Sequence, residues 1–190
     1  MKVGVLALQG DVREHLAALD SAGATPSEVR TPSELDDVDG LVIPGGESTT
    51  IGKLLDRFKL LPALQERVTD GMGLFGTCAG LILMAKEISG TEDAPHRVGS
   101  LDVTVRRNGY GRQVDSFEVD LKVQDLEGDV RGVFIRAPVI ERLGDGVEVL
   151  ASWDGIPVLV RQGMSLASSF HPEIAGEDRV HRLFIQMLER

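Results

Sequence analysis

The single cysteine of this 190-residue chain has neighbours that would allow it to act as a nucleophile. Residues 76–80 read Gly-Thr-Cys-Ala-Gly and lie between the apolar pair 74–75 and the apolar segment 81–86. A nucleophile on a glycine-flanked turn between a strand and a helix is exposed above the sheet, and the start of the helix favours the thiolate. The pattern predicts thiol chemistry at Cys78, with the backbone N–H of Ala79 facing a developing oxyanion. The alternative is a glycine-lined turn that carries an inert, buried cysteine.

A thiol nucleophile needs a base, and His171 has the most suitable sequence context of the four histidines. It precedes Pro172, which favours an extended backbone, so His171 and Glu173 are predicted to point to the same side. The carboxylate could then fix the tautomer of the imidazole. Alternatively, Pro172 and Glu173 open the last helix. The other three histidines are predicted to lie on the surface: His15, His96 and His181.

A second glycine turn, Pro-Gly-Gly-Glu-Ser at residues 44–48, also follows an apolar run and precedes a helical pattern. Consecutive glycines can turn backbone N–H groups toward an anion, so this segment is a candidate oxyanion loop around Gly46. The segment lacks the Gly-Lys-Ser/Thr ending of a phosphate loop, because Leu54 follows Lys53. A plain tight turn is the alternative.

The elements that must position these groups form two blocks. Apolar runs at 3–8, 41–43 and 74–75 alternate with helical patterns that start at 11, 51 and 81, which predicts parallel strands covered on both faces. Asp11 and Glu14 resemble a capping box at the first helix. The second half has runs at 101–106, 116–123, 133–135, 147–153 and 157–161, separated by turns, and an amphipathic helix at 177–190. These runs predict antiparallel hairpins added to one side of the sheet. The prediction is one α/β domain, residues 1–190, with three layers, a mostly parallel central sheet and added antiparallel strands.

Composition limits the classes of partner. The net charge of −10, from 30 acidic and 20 basic residues, argues against a nucleic-acid or anionic-membrane binder. No apolar stretch approaches the roughly 20 residues that span a bilayer, and the apolar N-terminus is better explained as a buried strand than as a signal peptide. We therefore expect a soluble, cytoplasmic protein.

Six sequence blocks resemble the class I, or triad-type, glutamine amidotransferases, whose fold is flavodoxin-like. Within them the match is to the glutaminase subunits of pyridoxal 5'-phosphate synthase, and it covers essentially the whole chain. The blocks are Leu-Ala-Leu-Gln-Gly-Asp at 6–11, Pro-Gly-Gly-Glu-Ser-Thr-Thr at 44–50, Gly-Thr-Cys-Ala-Gly at 76–80, Arg-Asn-Gly-Tyr-Gly-Arg-Gln at 107–113, Phe-Ile-Arg-Ala-Pro at 134–138 and Phe-His-Pro-Glu at 170–173.

The resemblance implies roles for individual residues. Cys78 would be the nucleophile, His171 the general base and acid, and Glu173 its orienting carboxylate. Glutamine would contact the following residues: Gly46, Glu47, Ser48, Arg107, Ile135 and Arg136. Arginine offers a planar fork for the substrate carboxylate, although surface solubility would also explain Arg107 and Arg136.

The implied activity is hydrolysis of L-glutamine to L-glutamate and ammonia, without a metal or organic cofactor. The ammonia would pass to a separate, barrel-shaped synthase subunit that makes pyridoxal 5'-phosphate, and glutaminase activity would be low without that partner. Three alternatives stay open at this point. They are the glutaminase subunit of imidazole glycerol phosphate synthase, a catalytically silent regulatory subunit, and a stand-alone thiol hydrolase or stress protein.

Overall fold

A computed structural model describes residues 1–91, 96–109 and 116–189. The strands are β1 (Lys2–Leu6), β2 (Thr25–Val29), β3 (Gly40–Ile43), β4 (Gly73–Thr77), β5 (Ala85–Ser89), β6 (Leu101–Arg106), β7 (Ser116–Lys122), β8 (Asp129–Ile135), β9 (Val139–Leu143), β10 (Glu148–Trp153), β11 (Ile156–Gln162) and β12 (Ser165–Ser168). The helices are α1 (Val12–Ser21), α2 (Pro32–Asp36), α3 (Ser48–Arg57), α4 (Leu60–Thr69), α5 (Ala79–Met84) and α6 (Arg179–Leu188).

The main sheet has seven strands in the order β10-β11-β12-β4-β3-β1-β2. The five strands from β12 to β2 pair in parallel, whereas β10, β11 and β12 pair antiparallel at one edge. The parallel part follows the flavodoxin-like strand order, in which the functional groups gather at the carboxyl ends of the strands. The predicted fold class, a mostly parallel α/β sheet with added antiparallel strands, is confirmed.

Alternate residues of the central strands separate two apolar layers, as the period of two in a strand requires. Leu41, Ile43 and Leu74 pack with residues of α3, α4 and α5 on one face. On the other face, Val42 and Phe75 pack with residues of α1 and α6. The sheet is therefore covered by helices on both faces, and its strands read as continuous apolar runs because neither face meets water.

The second half of the chain differs in part from the prediction. The runs at 147–153 and 157–161 do extend one edge of the main sheet, as β10 and β11. The hairpin β7–β8, however, forms a two-stranded sheet of its own, and β5, β6 and β9 form a three-stranded one. The prediction that all these runs join one side of the main sheet was therefore wrong. Local turn signals identify strand pairs, but the sheet that a pair joins depends on long-range packing.

Candidate active site

The elbow at Cys78 joins the end of β4 to α5. Cys78 adopts φ 49° and ψ −97°, a strained conformation for a residue with a side chain, and its N–H donates to the carbonyl of Ser168 over 2.8 Å. In the thiol form, Sγ lies 3.8 Å from the carbonyl oxygen of Ile135. The side chain is 8% exposed, so only a small opening leads to the sulfur.

The elbow glycines are required because backbones pass close together there. A Cβ on Gly80 would lie 2.2 Å from the carbonyl oxygen of Ile43, and one on Gly76 would lie 2.6 Å from the backbone of Gly80. Neither contact can be relieved by rotating a side chain. The spacing of glycines about Cys78 therefore lets α5 start directly against β3.

His171 is fixed beside this elbow by the hairpin β7–β8. Its N–H donates to the carbonyl of Val133 over 2.8 Å, in an isolated antiparallel bridge. Its Nδ1 lies 2.7 Å from Oε1 of Glu173 and 3.5 Å from Oδ2 of Asp11. Because α6 begins only at Arg179, the alternative that Glu173 opens that helix was wrong.

The carboxylate and the thiol decide the charge of His171. Burial disfavours the imidazolium, but hydrogen bonds to Cys78 and Glu173 and the charges of both groups outweigh it and raise the pKa of His171 to about 10. Burial raises the pKa of Glu173, against the lowering effect of the hydrogen bond from His171. At neutral pH the side chain of His171 is therefore an imidazolium, the form that can protonate a leaving amine.

The loop at 44–47 carries the candidate oxyanion donors. Glu47 caps α3 by accepting from the N–H groups of Thr49 and Thr50, over 3.1 and 2.7 Å. Despite the opposing effect of burial, hydrogen bonds from these threonines lower the pKa of Glu47 to about 2. The N–H of Glu47 itself donates to the Gln9 side chain over 2.8 Å. The loop is thus held by Gln9, and this N–H is already engaged.

Two arginines with predicted substrate contacts lie at the rim. Arg107 donates to Oε1 of Glu47 over 3.1 Å and to Oγ1 of Thr49 over 3.2 Å. Arg136 is exposed, has a positive φ of 44°, and forms no salt bridge with any residue in the described ranges. The sequence block that begins at Arg107 continues through Tyr110, Gly111, Arg112 and Gln113, which lie outside the described residues.

Nearly all the residues predicted from the resemblance surround one cavity of about 370 Å³. Its lining includes Cys78, Ala79 and His171 from the thiol centre. It also includes the predicted substrate contacts Gly46, Glu47, Ser48, Arg107, Ile135 and Arg136. Glu173 lies behind His171, fully buried, and does not line the cavity. The size suits a small ligand such as an amino acid.

Three acid or base groups near this cavity differ from their prediction. His15 and His181 are fully buried, so the prediction that they lie on the surface was wrong, whereas His96 is exposed as expected. Asp11 occupies the N-cap of α1 but makes no side-chain cap, so the predicted capping box does not form. Its carboxylate faces His171 instead.

The signal for His15 was present in the sequence. His15, Ala18 and Leu19 are three and four residues apart, the spacing of one helix face, and all three are buried. In α6, Phe184 and Ile185 stand in the same relation to His181. Weighing the apolar face of each helix, rather than the polarity of histidine, would have predicted both positions.

The residues Asp11, His171 and Glu173 form a group of metal-ligand type, with one ligand atom from each lying within 4.8 Å of the others. The hydrogen bond between His171 and Glu173 uses two of those atoms. The prediction that the site works without a metal stays a prediction.

The chain is similar over nearly its whole length to known proteins. The model of the SNO glutamine amidotransferase family matches residues 5–190. The chain is 59% identical to pyridoxal 5'-phosphate synthase subunit PdxT of Mycobacteroides abscessus, over 98% of this chain and 96% of that protein. It is 56% identical to the subunit of the same name from Frankia alni, over 98% and 94%.

Solved structures show the same fold. A crystal structure of a glutamine amidotransferase, 54% identical, matches with a TM-score of 0.94 over 99% of both chains. The PurLQS structure from Thermotoga maritima, 18% identical, matches with a TM-score of 0.72 over 99% of this chain and 97% of that one, which concerns the fold alone. Within the described ranges, no helix is long and apolar enough to cross a membrane. On the family match and the full-length relatives, this chain belongs to the SNO glutamine amidotransferase family.

Proposed function

We propose that this chain is the glutaminase subunit of a pyridoxal 5'-phosphate synthase. It hydrolyses the side-chain amide of L-glutamine and supplies the ammonia to a synthase subunit, for which we expect a barrel-shaped protein in the cytoplasm. The observation that carries the proposal is the cavity in which a strained cysteine, a buried histidine and two rim arginines face one another. The names of the full-length relatives supply the partner.

The first half-reaction breaks the amide bond. The thiolate of Cys78 attacks the side-chain carbonyl carbon of glutamine, and the imidazolium of His171 protonates the amide nitrogen. The C–N bond breaks, ammonia leaves, and a glutamyl thioester forms on Sγ. The N–H groups of Ala79 and the Gly46 region are the donors that we assign to the oxyanion.

The second half-reaction regenerates the thiolate of Cys78. His171, now neutral, removes a proton from water, and the hydroxide attacks the thioester carbon. The C–S bond breaks, and the new carboxyl group of glutamate loses its proton to solvent as the product leaves. His171 keeps the proton that it took from water, which restores the thiolate and imidazolium from which the first half-reaction began. Glu173 keeps Nδ1 of His171 protonated throughout, so that only Nε2 takes part in proton transfer.

Substrate recognition uses the charges at the rim. We assign the substrate carboxylate to Arg107 and Arg136, and its ammonium to the side of the ionised Glu47. The engagement of the Glu47 N–H with Gln9 supports the expectation that glutaminase activity is low until the partner docks, because the loop must rearrange to free that donor.

The alternatives carry less support. A catalytically silent subunit would not need the hydrogen-bonded pair of His171 and Glu173 beside a strained cysteine. A stand-alone thiol hydrolase would not need the charged rim. A glutaminase subunit of imidazole glycerol phosphate synthase would use the same chemistry, but the relatives over the full length carry the pyridoxal 5'-phosphate synthase name.

The test measures glutamate release from glutamine with and without the synthase subunit. We expect release that rises strongly with the synthase present, and Cys78→Ala should abolish it. The same variant should still support synthesis of pyridoxal 5'-phosphate when ammonium is supplied. Persistent glutamine-driven turnover in Cys78→Ala would refute the assignment of the nucleophile, and dependence on a different synthase would refute the assignment of the partner.

A further inference from the structure

The line of polar contacts that begins at His171 does not end at Glu173. Nε2 of His15, on α1, lies 3.4 Å from Oε1 of Glu173 and 3.1 Å from Oγ1 of Thr77. Nδ1 of His15 lies 2.9 Å from Nε2 of His181, on α6. A continuous line of polar atoms therefore runs from the catalytic imidazole through the carboxylate to two further imidazoles.

Both additional histidines are buried among apolar groups. His15 and His181 have 0% exposure, and the ring of Phe75 packs against each at centroid distances of 6.3 and 5.3 Å. Burying polar groups costs free energy that an apolar side chain of the same size would avoid. Two buried imidazoles that contact each other, one of them beside the Glu173 carboxylate, are therefore unexpected for packing alone.

The carboxylate of Glu173 has few donors of its own. Its Oε2 is buried and makes no hydrogen bond with any residue in the described part of the chain. Oε1 accepts from His171, and the carboxylate of Asp11 adds like charge nearby. Nε2 of His15 is thus the second nitrogen that can steady the charge of Glu173.

The charge states of His15 and His181 leave two possible directions for the hydrogen bond between them. Burial, together with the charges of His181 and His171, holds the pKa of His15 well below its ordinary value, and burial lowers that of His181 to about 4. Both rings are neutral at pH 7, so each has one donor and one acceptor nitrogen. The arrangement that stabilises a carboxylate has His181 donating from Nε2 to Nδ1 of His15. The proton of His15 is then on Nε2, which donates to Oγ1 of Thr77 and brings the positive end of the N–H dipole within 3.4 Å of Oε1 of Glu173.

We propose that His15 is a positioning residue for His171, acting through Glu173, and that His181 fixes the tautomer of His15. The part of this proposal that concerns catalysis rests on the proposed glutaminase function. Thr77, at the end of the strand that carries Cys78, holds the plane of the His15 ring through its hydroxyl. The arrangement ties α1 and α6, on one face of the sheet, to the orientation of the catalytic base.

The test replaces His15 in two ways and assays each variant with the synthase subunit present. His15→Phe keeps the ring but removes both nitrogens, and His15→Gln keeps an amide donor that can reach Glu173. We expect His15→Phe to lower kcat for glutamate release about tenfold, because the buried carboxylate loses the nearby N–H dipole, with KM little changed. His15→Gln should recover most of that loss.

A pH profile separates positioning from packing. In His15→Phe, the Glu173 carboxylate lacks the nearby N–H of His15 and takes up a proton more readily. The acidic limb of kcat/KM should therefore move to higher pH by about half a unit to one unit. The pH dependence of Cys78 alkylation by iodoacetamide should move the same way. Phe184→Leu is the matched control, because Phe184 packs on Phe75 from α6 and has no polar group of its own. This control should reduce stability and leave the pH dependence of kcat/KM and of Cys78 alkylation unchanged.

A measurement on the unmodified protein keeps the proposal testable if the variants fold poorly. Long-range nitrogen–proton NMR should find His15 and His181 neutral, each with its proton on Nε2. Two results would overturn the positioning role of His15. One is a proton on Nδ1 of His15, and the other is a folded His15→Phe variant whose kcat and acidic limb of kcat/KM are unchanged. If the unmodified complex released no glutamate, the proposed function would fail. The pH dependence of Cys78 alkylation and the tautomers of the two histidines would still test the positioning role of His15 separately.

Discussion

The two ends of the parallel sheet each have a depression, and the smaller one holds the proposed active site. The cavity at the carboxyl ends of β3 and β4 has a volume of about 370 Å³ and contains Cys78 and His171. The depression at the amino ends has about 590 Å³ and is lined by Asp36, Asp37, Asp39, Asp70 and their neighbours. The volume of a depression therefore does not by itself select the end at which we propose the reaction.

The difference follows from strand direction. At the carboxyl ends, each strand runs into a turn and then a helix N-terminus, so free N–H groups and side chains on turns converge there. At the amino ends, the chain returns from helix C-termini, and the acidic groups are exposed to water. A buried hydrogen-bonded acid–base pair forms at one end only, among the described residues. Four experiments would break or sharpen this contrast, from the largest expected effect to the smallest.

Glu173→Gln should have the largest effect on activity. It removes the charge, and with it the charge assistance of the hydrogen bond, that help raise the pKa of His171 to about 10, so that pKa should fall toward its ordinary value. We expect glutamate release to drop by roughly 10²- to 10⁴-fold, as for orienting acids in other triads. NMR titration of His171 and steady-state kinetics measure the two effects. A variant with normal kinetics would remove Glu173 from the mechanism.

Gly80→Ala should destabilise the fold by at least about 3 kcal/mol, because its Cβ meets the Ile43 backbone and neither segment can yield. Gly71→Ala, at the opposite end, is the matched comparison. Gly71 has a φ of +98° but open space around it, so backbone strain alone should cost about 1–2 kcal/mol. Denaturant unfolding of both variants gives the values. Equal losses would mean that the carboxyl edge is not the more tightly packed end.

Acid should weaken the protein through the buried histidines of the carboxyl edge. The folded pKa of His181 is about 4, below the ordinary 6.5 of an unfolded chain, so below pH 6.5 the unfolded state binds a proton that the folded state does not. The free energy of unfolding should therefore fall from pH 6.5 to 4, by about 1.4 kcal/mol per unit for this group. The free energy of unfolding should depend less steeply on pH in His181→Phe. In His96→Gln, at an exposed position, the dependence should match that of the unmodified protein. An identical slope in His181→Phe would contradict the burial of a neutral ring.

Asp70→Asn should have the smallest effect. Asp70 is exposed in the larger depression, so we expect glutamate release within about twofold of the unmodified protein and stability within about 0.5 kcal/mol. The same kinetic and unfolding assays apply. A loss comparable to that of Glu173→Gln would show that the amino-end depression takes part in the reaction.

Part of the fold was readable because local patterns decide it. The strands β1, β3 and β4 are apolar on both faces and end in glycine turns, so their positions and the α/β class followed from sequence. The strand β2 was missed because it pairs on one side only, with β1, and contains Pro26 and few apolar residues. The strand β12 was missed because Ser165 and Ser168 do not mark a strand, although β4 and β11 bury it from both sides.

Gln9 and Asp11 mark a second limit of the sequence. Both follow β1, and the resemblance includes them in a block, but nothing local shows that Gln9 holds the N–H of Glu47 or that Asp11 turns to His171. Those contacts join residues 38 and 160 positions apart, so they exist only once the strands are aligned side by side.

The sequence by itself determined the turns at Cys78 and Gly46, the pairing of His171 with Glu173, and the alternation that makes a mostly parallel sheet. Each of these depends on residues within a few positions of one another, where backbone geometry leaves few choices. Only the tertiary structure decided that His15 and His181 meet behind the carboxylate, and that β7–β8 supports His171 from outside the main sheet. Those contacts depend on the packing of α1 and α6 across one face, and no local spacing encodes it.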